Sequence, residues 1–176
     1  MSLPRRYWDS STFLAWLLPE TDREEDCRSV LRAAEDGELQ LVTSALTLTE
    51  VIKLKGSPEL KRNYEKKIAD FFQNDYIILR NVDRFVAFAA QRLVWDQNLS
   101  PKDSIHVATA LRWRVPVLDT FDDDLISLNG KLPFDVANPN SPVLQITKPH
   151  LPRQLALELN PEAGPESSPE EPEKKE

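Results

Sequence analysis

From Tyr7 to Ile146, short β-branched and aromatic runs alternate with longer segments of helical periodicity. Tyr7-Trp8 reads as the end of a first strand and Ser11 to Leu18 as a helix stopped by Pro19. Cys27, Val30, Leu31 and Ala34 mark a second helix, closed by Gly37. Leu39 to Thr43 is a second strand, and Thr47 to Lys55 a short helix ended by Gly56. Pro58 then opens a charged helix reaching about Gln73. Tyr76 to Leu79 reads as a buried strand, after which Asp83 is placed to cap an apolar helix from Phe85 to Trp95. Ser100-Pro101 opens another helix reaching Trp113, Val115 to Leu118 is a fourth strand, and Val143 to Ile146 is a candidate fifth. Strands separated by helices cannot pair as hairpins, so the pattern predicts a three-layer α/β/α domain around a mostly parallel sheet of four to five strands.

The 176 residues suit one globular domain. We place it at residues 1–150, followed by a tail, 151–176. From Pro161 onward the tail has no large apolar residue, four prolines and six glutamates, a composition that cannot build a core and predicts disorder. That stretch carries four of the seven net negative charges, which leaves the folded part close to neutral. Within it, Lys53, Lys55, Lys61, Arg62, Lys66 and Lys67 face only Glu59 and Glu65. Such a stripe is either a solvated helix face or an edge that contacts phosphates.

Several kinds of chemistry are excluded. The four glycines, Gly37, Gly56, Gly130 and Gly164, are too far apart to form a phosphate-cradling loop. Cys27, His106 and His150 are too few for a zinc site, so a bound metal would be held by oxygen, which favours Mg²⁺ or Mn²⁺. No G-x-S-x-G elbow is present. The single cysteine excludes an internal disulfide and fits a core position in a reducing compartment. With no leader-like segment and no membrane-length apolar run, a cytoplasmic location is expected.

What remains is a set of acids at predicted element ends. Asp9 follows the first strand, where it can cap the next helix or serve a ligand beyond the carboxyl end of a strand. Glu50 lies on a short helix whose Leu48, Val51 and Ile52 form the apolar side, which puts Glu50 on the solvent flank. Ser100, Pro101, Lys102 and Asp103 approximate a capping box, yet the following helix is apolar nearly all round, so a charge on its first turn needs compensation by amides or a cation. His106, alone on that helix, could hydrogen-bond near the acids or contact substrate, but reads first as a satisfied structural histidine. Asp119, Asp122, Asp123 and Asp124 crowd one segment after a strand, where turns and caps account for one or two of them.

Four strings, YWDSS at the first strand end, SALTLTEV, LSPKDSIHVATAL and VPVLDTFDDDL, together resemble PIN-domain nucleases, most closely the VapC-type toxins of toxin-antitoxin pairs. The resemblance runs from about Tyr7 to Ile146. It implies that Asp9, Glu50, Asp103 and Asp122 form an acidic quartet binding Mg²⁺ or Mn²⁺, with Asp124 as an auxiliary acid and Thr120 steadying the site. Asp119 departs from the family pattern, which more often has an apolar or small residue there.

The implied activity is metal-assisted hydrolysis of RNA phosphodiesters to 5′-phosphate and 3′-hydroxyl ends. Lys53, Lys55, Lys61 and Arg62 would guide the strand. Homodimer formation, a cognate antitoxin laying a segment into the acidic cleft, and no membrane association are also implied. Without metal the carboxylates should repel one another and raise at least one pKa. Two other readings stand beside this one. The first is a PIN fold kept for RNA binding or assembly with little nuclease activity. The second is an aspartyl-phosphate phosphatase with Asp9 as nucleophile, although such enzymes carry a second acid where this chain has Ser11.

Overall fold

The computed structural model describes residues 3–18, 21–52, 62–138 and 140–151. The tail from 152 onward therefore lies outside the described residues. Five strands, β1 (Arg5–Trp8), β2 (Gln40–Ser44), β3 (Ile77–Arg80), β4 (Val117–Asp119) and β5 (Gln145–Thr147), form one sheet in the order β3-β2-β1-β4-β5, every neighbouring pair parallel. The candidate fifth strand is real, and the sheet is wholly rather than mostly parallel.

Between the strands lie α1 (Ser10–Leu17), α2 (Thr21–Glu35), α3 (Thr47–Glu50), α4 (Glu65–Phe71, led by a 3-10 turn at Arg62–Tyr64), α5 (Arg84–Gln97), α6 (Pro101–Arg112) and α7 (Asp123–Ile126). Period-two alternation in the strands divides the core in two. Trp8 and Leu41 face Phe13, Val30, Leu31 and Phe72, while Tyr7, Val42 and Leu118 face Val86, Val107 and Ile146. Phe13 is fully buried against Trp8 at 5.2 Å and Phe72 at 4.9 Å between ring centres, and burial of one such ring contributes about 2–3 kcal/mol. Cys27 lies in this core, where burial first and then nearby acids push its thiol up to about 12, so it is unreactive.

The helix signals in the sequence operate as physical caps. Asp83 accepts from Val86 N at 2.9 Å to start α5, and Gly37, at φ +76°, follows α2 as its left-handed stop. Ser100 Oγ accepts from Asp103 N at 3.2 Å and returns its proton to Asp103 Oδ2 at 2.5 Å, a variant of the capping box. At the other end of α6, Val115 N bonds to Ala110 O and Arg114 N to Leu111 O, with Arg114 at φ +51° where glycine is the usual residue.

Two expectations need correction, a third lies partly outside the described residues, and one helix carries exposed rings that the sequence does not single out. The short helix from Thr47 ends at Glu50, not Lys55, and its exposed residues are Leu48 and Ile52 while Glu50 is 3% exposed. Tertiary partners described below reverse the flank that periodicity assigned. The charged helix expected from Pro58 is described only from Arg62, since residues 53–61 lie outside the described set. Helix α7 is unexpected, because Asp122 to Asp124 read as turn residues; Asp122 caps it by accepting from Asp124 N and Leu125 N. The apolar α5 is not wholly buried either, for Phe85, Phe88 and Trp95 are exposed.

Asp119, the residue outside the family pattern, is fully buried and serves the scaffold. Arg6 grips it in a bidentate ion pair, Nε on Oδ2 at 2.8 Å and Nη2 on Oδ1, and Trp8 Nε1 donates to Oδ2 at 3.0 Å. Register explains the meeting: Trp8 pairs with Asp119 across β1 and β4, and Arg6 lies two residues back on the same face.

Candidate functional site

After β1 the chain builds outward to β2 and β3, then returns to add β4 on the other side of β1. The order therefore reverses between β1 and β4, and helices leaving the two strands diverge to open a crevice at their carboxyl ends. Asp9 directly follows β1 and Thr120 directly follows β4.

Asp9 caps α1 and is 4% exposed. Its Oδ1 lies 2.9 Å from Thr12 N, 2.9 Å from Thr12 Oγ1 and 2.8 Å from Ser11 Oγ, while Oδ2 accepts from Thr120 Oγ1 at 2.6 Å. Thr120 Oγ1 in turn accepts from Asp122 N at 2.9 Å, tying the two acids through one hydroxyl. Ser11 Oγ accepts from Phe121 N at 3.1 Å, which completes the enclosure. A carboxylate so enclosed by donors is fixed in orientation and poorly placed to attack as a nucleophile.

Asp103 stands half-buried on the first turn of α6. Burial pushes its carboxyl above the ordinary value; the negative charges of Asp122 and Asp9 push further in that direction, against the Ser100 hydrogen bond and the charge of His106. Asp122 and Asp9 thus act on Asp103 electrostatically, but burial is the larger cause of its raised pKa. Asp103 Oδ1 and Asp122 Oδ2 have no hydrogen-bond donor among the described residues. Asp123 and Asp124 are exposed.

Glu50 occupies a different niche in the same region. His106 Nε2 lies 2.7 Å from Oε2, Ser10 Oγ donates to the same oxygen at 2.6 Å, and Lys102 Nζ pairs with Oε1 at 3.0 Å. An ionised carboxylate only accepts, so Nε2 carries the hydrogen, while His106 Nδ1 faces the buried Tyr7 hydroxyl at 2.8 Å. Burial alone would raise the Glu50 carboxyl, but His106, Ser10 and Lys102 together bring it down to about 2. The folded pKa lies below the ordinary 4.5, so the stabilisation is full above that value and is lost as pH falls toward 2. Glu50→Gln is therefore expected to cost about 2–3 kcal/mol at neutral pH, with the deficit shrinking through that acid window in urea denaturation. A deficit that does not vary with pH would show that lost packing, not charge, is responsible.

These acids supply the all-oxygen donors that a hard divalent ion takes, and Asp103 and Asp122 each keep an oxygen available for one. Among the described residues, however, no three His, Cys, Asp or Glu side chains converge into a cage around one point.

A model of the PIN domain matches residues 6–131. The chain belongs to the PIN domain family. Two solved structures are similar to it, the first of them in fold. One is VapC20 of Mycobacterium tuberculosis, described as a sarcin-ricin loop cleaving toxin, at 16% identity and a TM-score of 0.53 over 68% of this chain and 91% of that one. The other is a toxin-antitoxin complex from Klebsiella pneumoniae, at 20% identity and a TM-score of 0.48 over 66% and 86%. No curated protein matches.

In this PIN domain one hydroxyl, Thr120 Oγ1, joins Asp9 and Asp122 at the carboxyl ends of β1 and β4, while Glu50 is held by His106 and Lys102 from α6. Of the basic stripe, Lys53, Lys55 and Lys61 lie outside the described residues. Its described members are largely neutralised: Arg62 pairs with Glu65 at 3.3 Å and Lys66 with Asp70 at 2.5 Å. Sequence reasoning gives Lys102, Ser10 and Ser11 no place in this site and treats His106 as structural. The only local signal for them is adjacency, since each stands within three positions of a candidate acid.

Proposed function

We propose that this PIN domain is a metal-dependent endoribonuclease that hydrolyses RNA phosphodiesters, acting as the toxin of a type II toxin-antitoxin pair. The observation that supports the reading is the Thr120 hydroxyl, which donates to Asp9 and accepts from the Asp122 amide where β1 and β4 end at the switch point. Family membership and the fold shared with a toxin named for RNA cleavage support it.

In this reading Asp9, Asp103 and Asp122 hold Mg²⁺ or Mn²⁺, and Glu50 orients water or completes the ligand set. The chemistry such an ion supplies when bound is activation of water and neutralisation of transition-state charge. The chain's own work is positioning. Ser11, Thr12 and Thr120 hold Asp9 in place, Ser100 aims Asp103, and His106 with Lys102 keeps Glu50 deprotonated. A homodimer and an antitoxin segment entering the acidic cleft complete the proposal, as does a cytoplasmic location. No helix among the described residues is long and apolar enough to cross a membrane.

The test is cleavage of an end-labelled RNA with Mg²⁺, with Mn²⁺ and with EDTA. Metal-dependent cleavage leaving 5′-phosphate and 3′-hydroxyl ends is expected, and inertness under every condition would leave the binding or assembly reading. Metal uptake has an independent signature. An ion at a hundredfold its Kd should raise stability by about 2.7 kcal/mol in a thermal melt. Asp103→Asn should erase most of that gain.

A further inference from the structure

A cluster of arginines without acid partners among the described residues lies away from the carboxylates. Where the C-terminus of α6 meets the N-terminus of α5, guanidinium and aromatic groups interleave. Arg80 Cζ stands 4.0 Å from the centre of the Trp113 ring, Arg112 lies 5.8 Å from that ring and 5.6 Å from the ring of Phe85, and Arg84 lies 4.8 Å from Phe85. None of the three, nor neighbouring Arg114, is ion-paired to a described carboxylate. In a chain with 29 acids against 22 basic residues, such a cluster is not an average of the surface. Arg80 Nε and Trp113 Nε1 are buried without a hydrogen-bond partner among the described residues.

From Phe85 an aromatic face continues along α5. Phe85, Phe88 and Trp95 are 53%, 65% and 82% exposed, and with exposed Arg92 they follow steps of three, four and three residues on one side of the helix. The acids nearby on the chain are Asp83, engaged in capping α5, and Asp96.

The exposed rings of Phe88 and Trp95, continuing from guanidiniums that pair with no described carboxylate, suit a ligand that is both anionic and flat. A single-stranded nucleic acid is both, since its phosphates pair with arginine and its bases stack on aromatic side chains whatever their sequence. A second copy fits worse, because a twofold contact through this face would bury guanidiniums on both sides while the face itself supplies no carboxylate to pair them.

We propose that the face formed by Arg80, Arg84, Phe85, Phe88, Trp95 and Arg112 is an RNA-docking surface that holds unpaired substrate flanking the cleaved bond. The identity of the ligand rests on the ribonuclease reading. Asp103 and Arg112 are nine residues apart on α6, so a strand joining the two sites spans about 13 Å. A dinucleotide, with one phosphodiester, cannot occupy both.

The experiment measures fluorescence anisotropy of a labelled, unstructured oligoribonucleotide in EDTA across a salt series, with cleavage of a dinucleotide followed separately in Mg²⁺. The variants are the full chain carrying Arg84→Gln with Arg112→Gln, and Phe88→Ala with Trp95→Ala, all positions away from the core. Each pair should weaken binding about 10-fold, and the arginine pair should also flatten the salt dependence by about 0.7 for each phosphate no longer neutralised. Dinucleotide cleavage should match wild type. Equal affinities for all three proteins would overturn the docking surface even if wild type cleaves RNA. Weakened binding in the variants of a protein whose wild type cleaves nothing would keep the surface and remove the ribonuclease reading. Dissociation of a dimer in the variants, with RNA affinity intact, would assign the face to a second copy and overturn the proposal.

Discussion

Asp103→Asn is expected to lower RNA cleavage by at least about 10²-fold while leaving the fold as stable as wild type, or more stable by about 0.5–1 kcal/mol. The two effects part because the carboxylate is held at a cost. Burial disfavours its charge, and Asp122 and Asp9 add repulsion. Asparagine has nearly the same shape, and its carbonyl can still accept from Ser100, so the helix cap survives. Only the anionic charge is lost, and with it the capacity to share a cation. Turnover of labelled RNA and a thermal melt on the same preparation decide the matter. Wild-type turnover would sink the assigned role, and a melting temperature lowered by many degrees would mark Asp103 as chiefly a capping residue.

The largest effect on stability is expected at a residue remote from any chemistry. Arg6→Met removes the guanidinium and leaves Asp119 fully buried with only the indole N–H of Trp8 as partner, at a cost of about 3–5 kcal/mol. For a domain of this size that is a fall of roughly 10 °C in Tm. Because the Asp119 carbonyl accepts from Thr12 Oγ1, which also contacts Asp9, cleavage should decline as well. Adding Asp119→Leu to the same chain should recover much of the loss, since a buried pair replaced as a unit costs far less than one broken in half. Urea titration of the single and double variants is the check. A single variant within about 1 kcal/mol of wild type would mean that water reaches Asp119 and that the pair contributes little.

The scaffold is legible in the sequence because its signals are local. Strand runs, the Gly37 stop, the Asp83 cap and the Ser100-Pro101 start each act within a few residues. Asp9 and Asp103 are legible for the same reason, standing at ends that the sequence itself marks. Glu50 is misread because helical periodicity reports only on its own helix, whereas its partners His106 and Lys102 come from α6, more than fifty positions away. Asp119 finds no explanation in the sequence because Arg6 joins it only through the register of β1 with β4. The exposed rings of α5 escape notice because an aromatic segment reads as core until the neighbouring elements are in place.

A sheet whose strands all run the same way contains no hairpin, so every pairing waits for an intervening stretch to be made. Trp8 and Asp119 touch across 111 positions of sequence. On a ribosome the central strand emerges well before β4 and stays without one neighbour until β4 leaves the exit tunnel. The acidic crevice therefore cannot exist on a partly synthesised chain. If this protein cuts RNA, it does so only once nearly all of the domain has been translated.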